Sequence, residues 1–256
     1  PVPAGVGEEP PLGTGDLDAV VQGDQKPRKH RRQGELHHHQ PVQRRGGQHH
    51  NRPQRHLHQP EQAAEAEAAV HEEGELNLQQ NKIDFEVIPS YVDEDQVKES
   101  LIATGANPEL ISKNLAELKS VKVSNNNPDR LVLGADSVIS LNSVLINKPT
   151  TREDALKILK NLNGKKHYLI SSVCFSKNGS MLWNFTDSSE LKMKNLKDEE
   201  IKNYLKKIPT KTLLAYGVYQ VEAEGLNLFE YIKGDKNSIM GLPVKHIKDY
   251  IKNYKL

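Results

Sequence analysis

With 256 residues and a formal charge of +1, the chain is long enough for a sizeable core. It carries no field that would make nucleic acid or a membrane its main partner. The single Cys174 excludes an internal disulfide, no stretch approaches the ~20 apolar residues of a membrane span, and the N-terminus lacks the apolar region of a secretory signal, so a cytoplasmic, reducing compartment is expected.

The averages hide a divide near residue 78. Residues 1–80 contain no Phe, Tyr, Trp or Ile, and hold nine of the eleven histidines and seven of the nine arginines. Their nine basic and twelve acidic residues leave −3, against +4 for residues 81–256. Apart from the alanine- and glutamate-rich stretch 61–70, which reads as a short helix, the segment shows no helical or strand period. It has too little apolar surface to offset its ordering entropy, so residues 1–78 are expected to be a disordered low-complexity arm. Within it, His37-His38-His39, Arg31-Arg32 and Arg44-Arg45 read as a solvated tract rather than a metal or phosphate site. Composition shifts so sharply here that the two parts resemble GC-rich and AT-rich coding sequence.

Residues 79–256 read as one α/β domain. Phe85-Glu86-Val87-Ile88 is a strand, closed by Pro89-Ser90. Asn107-Pro108 opens a helix with Leu110, Ile111, Leu115 and Leu118 expected on its inner side. Arg130–Leu133 is a continuous apolar strand, and Val138–Ile146 continues as a hairpin around Asn142-Ser143. Thr151 caps a helix that buries Ala155, Ile158, Leu159 and Leu162 before Gly164 ends it. Tyr168–Phe175 and Met181–Phe185 are strands joined at Asn178-Gly179, and Ser189–Met193 is a further strand. Within the first of these, Val173-Cys174-Phe175 makes Cys174 a buried, inert thiol. Asp198–Lys207 is an amphipathic helix, Tyr219–Val221 and Leu228–Ile232 are strands, and Val244–Tyr254 is the last helix.

Chemistry concentrates where a strand ends in a carboxylate. Leu131-Val132-Leu133-Gly134-Ala135-Asp136 delivers Asp136 at the carboxyl end of an apolar strand, the edge at which α/β sheets bind ligands. Gly134 and Ala135 leave room for a phosphate. Lys148, fixed by Pro149, offers a compact positive charge suited to phosphate. Pro89–Glu94 brings acidic residues after another strand, where a carboxylate can share a divalent metal with Asp136.

In order and spacing, FEVIPSYVDE (85–94), LAELKSVKV (115–123), LVLGADSVI (131–139), NKP (147–149), LNGKKH (162–167) and GDKNSIMGLP (234–243) resemble the Maf family of nucleotide pyrophosphatases. The resemblance covers nearly all of residues 81–256. It implies a mixed twisted sheet with flanking helices, similar to the inosine triphosphate pyrophosphatases. It also implies a Mg-dependent hydrolase that splits nucleoside triphosphates into monophosphate and pyrophosphate. Matched residue by residue, Asp136 takes the catalytic position and Glu94, Lys119 and Lys148 the other charged ones, with Glu94 and Asp136 on the metal. The positions that vary with nucleobase fall on Ser137 and Glu222. A Glu at the second resembles the branch acting on 7-methyl-GTP, and a carboxylate suits the adjacent donors of guanine. The resemblance also suggests a homodimer. The family's opening strand and Ser-x-x-Arg phosphate-binding turn have no counterpart before Leu78, so the domain is expected to lack both. The alternative reading is a catalytically weak nucleotide-binding relative with a regulatory role in septum formation.

Overall fold

Short polar side chains start the helices. Asp93, Asn107 and Thr151 each accept a hydrogen bond from the backbone N–H three residues on, at 3.0, 2.8 and 3.1 Å. The helices that follow are α1 (Glu94–Ala103), α2 (Pro108–Asn126) and α3 (Arg152–Leu162). The computed structural model describes residues 18–21, 77–221 and 224–254. Most of the N-terminal arm, with the stretch 61–70 and the histidine and arginine clusters, lies outside them.

The strands are β1 (Asp18–Val21), β2 (Phe85–Val87), β3 (Leu131–Leu141), β4 (Val144–Ile146), β5 (Lys166–Lys177), β6 (Ser180–Met193) and β7 (Phe229–Lys233). They form one sheet in the order β2-β1-β3-β5-β6-β7, with β4 on β3. The class is the expected one, α/β with helices on the flanks of a sheet. Every pairing among the described residues is antiparallel. The turns at Asn142-Ser143 and Asn178-Gly179 have positive φ at both residues (52° and 64°, 50° and 74°), the backbone twist that suits a two-residue hairpin. Further helices are α4 (Asp198–Lys207), α5 (Thr210–Tyr216), α6 (Lys236–Ile239) and α7 (Val244–Asn253).

Several elements differ from expectation. β1 comes from the segment in which no strand was read; its backbone pairs with both β2 and β3, and of its residues Val20 and Val21 are of a type enriched in strands. Ser189–Met193 is not a separate strand but the end of β6, which stays paired with β5 back to Lys166. Tyr219–Val221 is buried but not a strand: it follows directly on the end of a helix at Gly217, at φ 95°, and a side chain rather than a ladder holds Tyr219.

The face that α2 turns inward also differs. Leu110 and Leu118 are exposed, while Ile111, Ser112, Leu115, Ala116, Lys119 and Ser120 are buried. The small residues Ser112, Ala116 and Ser120 recur every fourth position and let the helix backbone lie close to β3. At Gly134 an added Cβ would stand 2.4 Å from the Ala116 carbonyl oxygen and 2.7 Å from the Ser120 nitrogen. The space at Gly134 thus belongs to α2, not to a phosphate. Strand alternation then sorts β3. Leu131, Leu133 and Ala135 pack in a core with Leu242, Val244 and Ile247, whereas Val132 packs with Val123 of α2. Each fully buried Leu or Ile of that core contributes roughly 1.5–3 kcal/mol. Cys174, opposite Gly134, is buried as expected, and burial pushes its thiol up from the ordinary range. A second core, under α3 and α4, gathers Ala155, Leu159, Leu162, Leu191 and Ile201.

Candidate active site

Asp136 lies on the side of β3 that faces α2, and it is 1% exposed. The same face of α2 that carries Ala116 and Ser120 carries Lys119, 2% exposed. The close approach at Gly134 therefore sets the distance between a buried acid and a buried base. Lys119 Nζ stands 3.2 Å from Asp136 Oδ1 and donates to the Ala135 carbonyl oxygen at 3.4 Å. Its third neighbour is Glu94 Oε1, at 2.7 Å. An ammonium has three protons, and here it has three acceptors.

Glu94 is the first residue of α1, where the helix dipole favours a carboxylate. Its other oxygen, Oε2, meets Lys98 Nζ at 3.0 Å, one turn further along the helix. Charges alternate from the helix surface to the strand: Lys98, Glu94, Lys119, Asp136. Ser112 fixes the backbone at the inner end by donating to the Asp136 carbonyl oxygen at 2.9 Å.

The next residue, Ser137, borders an open pocket. Its apolar wall comes from Val138, Ile139, Leu145, Ile146, Ile158 and Leu169. Its polar border comes from Lys98, Ser137, Asn147 and Lys148. The β3–β4 hairpin explains why Lys148 is there: β4 runs back along β3, with Ile146 opposite Ile139, so the chain beyond it returns towards Ser137. Gly217 and Val218 close another side. Ser171 spends its proton on the Ser238 carbonyl oxygen at 2.7 Å and so accepts from Ser137 at 2.8 Å. Asp235 in turn accepts from the Ser238 backbone N–H at 3.0 Å. The segment 234–243 thus buttresses Ser171 and, through it, Ser137.

Beyond the pocket, Tyr219 is held by the buried His167, whose Nε2 lies 2.9 Å from its hydroxyl oxygen. Burial lowers the His167 pKa to about 4, so the ring is neutral at pH 7.

Of the residues singled out in the sequence, Glu94, Lys119 and Asp136 meet in one ion-pair chain, and Ser137 and Lys148 border the pocket beside it. Glu222 lies outside the described residues. Lys98 went unrecognised. Its spacing of four from Glu94 was the available signal, but on a helix that spacing more often marks a surface pair.

A divalent ion is testable against the donors present. Glu94 and Asp136 already share one cation, the Lys119 ammonium, and among the described residues no group of three or more His, Cys, Asp or Glu side chains is placed to hold a metal. Two carboxylates fit Mg²⁺ in the manner of sites where substrate phosphates and water supply the remaining ligands. Among the described residues no helix is long and apolar enough to cross a membrane.

Residues 75–254 match the family described as Maf-like protein. The chain is 59% identical over 175 residues to a nucleoside triphosphate pyrophosphatase of Pelagibacter ubique, covering 68% of this chain and 90% of that protein. It is 35% identical over 174 residues to a nucleoside triphosphate pyrophosphatase of Ruegeria sp., covering 68% and 87%. It is 36% identical over 162 residues to a 7-methyl-GTP pyrophosphatase of Brucella abortus, covering 63% and 81%.

Proposed function

The chain belongs to the Maf family, and from that premise we propose that it hydrolyses nucleoside triphosphates to nucleoside monophosphate and pyrophosphate. The observation that carries the reading is the buried Asp136, tied through Lys119 to Glu94 and followed directly by a residue of the pocket wall. The apolar wall takes the nucleoside, and the charged border takes the phosphates. The water oxygen attacks the α-phosphorus, the bond from that phosphorus to the bridging oxygen breaks, and pyrophosphate leaves with the bond's electron pair. Asp136 receives the proton of the attacking water. Lys119 holds Asp136 and Glu94 in place, and Lys148 offsets charge on the phosphates. Glu94 and Asp136 would hold a divalent metal, Mg, which neutralises phosphate charge when bound.

The base preference we propose is for guanine-type nucleotides. Its support is the acceptor-only carboxylate of Glu222 and the name of the Brucella abortus relative.

The experiment is a pyrophosphate-release assay over a panel of GTP, 7-methyl-GTP, dTTP and UTP. Asp136→Asn is expected to remain folded and to lose at least about 10²-fold in kcat, the scale of one general-base role. A variant releasing pyrophosphate at the parent rate would remove Asp136 from the mechanism. A parent for which dTTP is the best substrate would refute the guanine preference.

A further inference from the structure

Two lysines border the pocket. Lys148 belongs to the Asn-Lys-Pro motif, while Lys98 belongs to none of the segments that carried the resemblance. After Lys119, Lys98 is the least exposed of the ion-paired lysines named here. Its side chain is 15% exposed, whereas those of Lys157, Lys160 and Lys207 are 77%, 42% and 60% exposed.

The plain structural explanation is an i,i+4 helix pair with Glu94. That accounts for the 3.0 Å contact but not for the position. Glu94 also meets Lys119, which it shares with Asp136, so Lys98 supplies the second cation for two carboxylates and does so at the wall of the pocket. The arginines are occupied as well. Arg130 pairs with Glu86 at 2.5 Å. Arg152 donates to the carbonyl oxygens of Leu205 and Ile208 and to Thr210 Oγ1. Among the described residues, then, positive charge for a triphosphate comes from lysines. Two of these lysines, Lys98 and Lys148, line the pocket, and no carboxylate is among its lining residues.

We infer that Lys98 is a substrate-binding residue, a phosphate-holding cation contributed by α1. One ammonium proton remains on Glu94 and the others point a hydrogen bond and a charge at the phosphate end of the nucleotide. This inference rests on the proposed pyrophosphatase activity and adds a ligand to its site. Glu94 then has two tasks: it shares a cation with Asp136, and it aims Lys98.

The test is Lys98→Met, which keeps the stem and removes the charge, with Lys98→Arg as its control. KM for the preferred triphosphate should rise about 10- to 100-fold, which is ~1.4–2.8 kcal/mol at 1.4 kcal/mol per factor of ten. The kcat should fall by less than KM rises. Inhibition by inorganic pyrophosphate should weaken by a similar factor, inhibition by free guanosine should not change, and Lys98→Arg should recover most of the loss. KM and pyrophosphate inhibition both within about twofold of the parent would overturn the inference. So would equal weakening of guanosine and pyrophosphate inhibition together with a lower melting temperature, the mark of a structural role. Direct titration of inorganic pyrophosphate into parent and Lys98→Met reads the same contrast without turnover. A parent that binds pyrophosphate through Lys98 yet releases none from nucleotides would refute the activity, not the site.

Discussion

Lys119→Met removes one charge from the middle of a buried ion-pair chain and keeps the stem that fills the space. With an effective dielectric constant near 20, the attractions at 3.2 Å to Asp136 and 2.7 Å to Glu94 are about 5 and 6 kcal/mol. Desolvating the ammonium offsets several kcal/mol of that. The larger consequence is what remains: a carboxylate 1% exposed, with Glu94 nearby and no cation between them. Breaking a buried pair in this way costs about 3–5 kcal/mol, or roughly 6–20 °C of melting temperature for a domain of this size. The assay is urea and thermal unfolding of the parent, Lys119→Met, Asp136→Asn and the double variant. Combining Asp136→Asn with Lys119→Met should recover part of the loss, because the stranded charge is gone. Millimolar Mg²⁺ should raise the melting temperature of Lys119→Met more than that of the parent, since it offers the two carboxylates a replacement cation. A Lys119→Met protein within about 1 kcal/mol of the parent, or a double variant no more stable than Lys119→Met, would refute this account of the chain.

Two further outcomes follow from the same structure. His167 has its folded pKa lowered to about 4 from 6.5 by burial, so the unfolded chain binds its proton first. The stability it contributes is full above pH 6.5 and is lost as pH falls towards 4, by about 3 kcal/mol; His167→Gln should flatten that part of the pH–stability curve, and an unchanged slope would exclude His167 as its source. Gly134→Ala would set a methyl 2.4 Å from the Ala116 carbonyl oxygen, forcing α2 off β3 at a cost of about 1–3 kcal/mol. It should also lower kcat in a variant that still folds, because Lys119 rides on the displaced helix; normal turnover with lowered stability would separate the two effects.

What was legible in the sequence was local chemistry. The caps at Asn107 and Thr151 and the turns at Asn142-Ser143 and Asn178-Gly179 depend on residues within a few positions, and they lie where they were read. Leu131–Leu133 is apolar without interruption because β3 is covered on both faces. What was not legible depended on distant partners. Leu110 and Leu118 count as apolar in any helical period, yet the inner face of α2 is set by the small residues that fit Gly134. Tyr219 looks like a strand residue, but it lies in irregular backbone with its hydroxyl against His167. The site divides the same way. Asp136 stands out because an apolar run is followed by a carboxylate, although the strand does not end there as expected but continues through Asp136 to Leu141; Lys119 looks like any surface lysine until α2 is laid on β3, and only the family resemblance singled it out. Lys98 had neither signal.

The eleven residues of β3 interleave two kinds of information. Odd positions from Leu131 to Ala135 serve the core under α7; even ones, Val132, Gly134 and Asp136, face α2. In a saturation scan the whole strand would look uniformly intolerant, and a single readout would hide the reason. Scored separately for cellular abundance and for turnover, it would split by parity, with a polar replacement at Leu133 lost from both scores and a conservative one at Asp136 from turnover alone. Inherited variation in this stretch therefore cannot be interpreted by its distance from the reacting atoms, since neighbours 3.8 Å apart along the backbone answer to different selective demands.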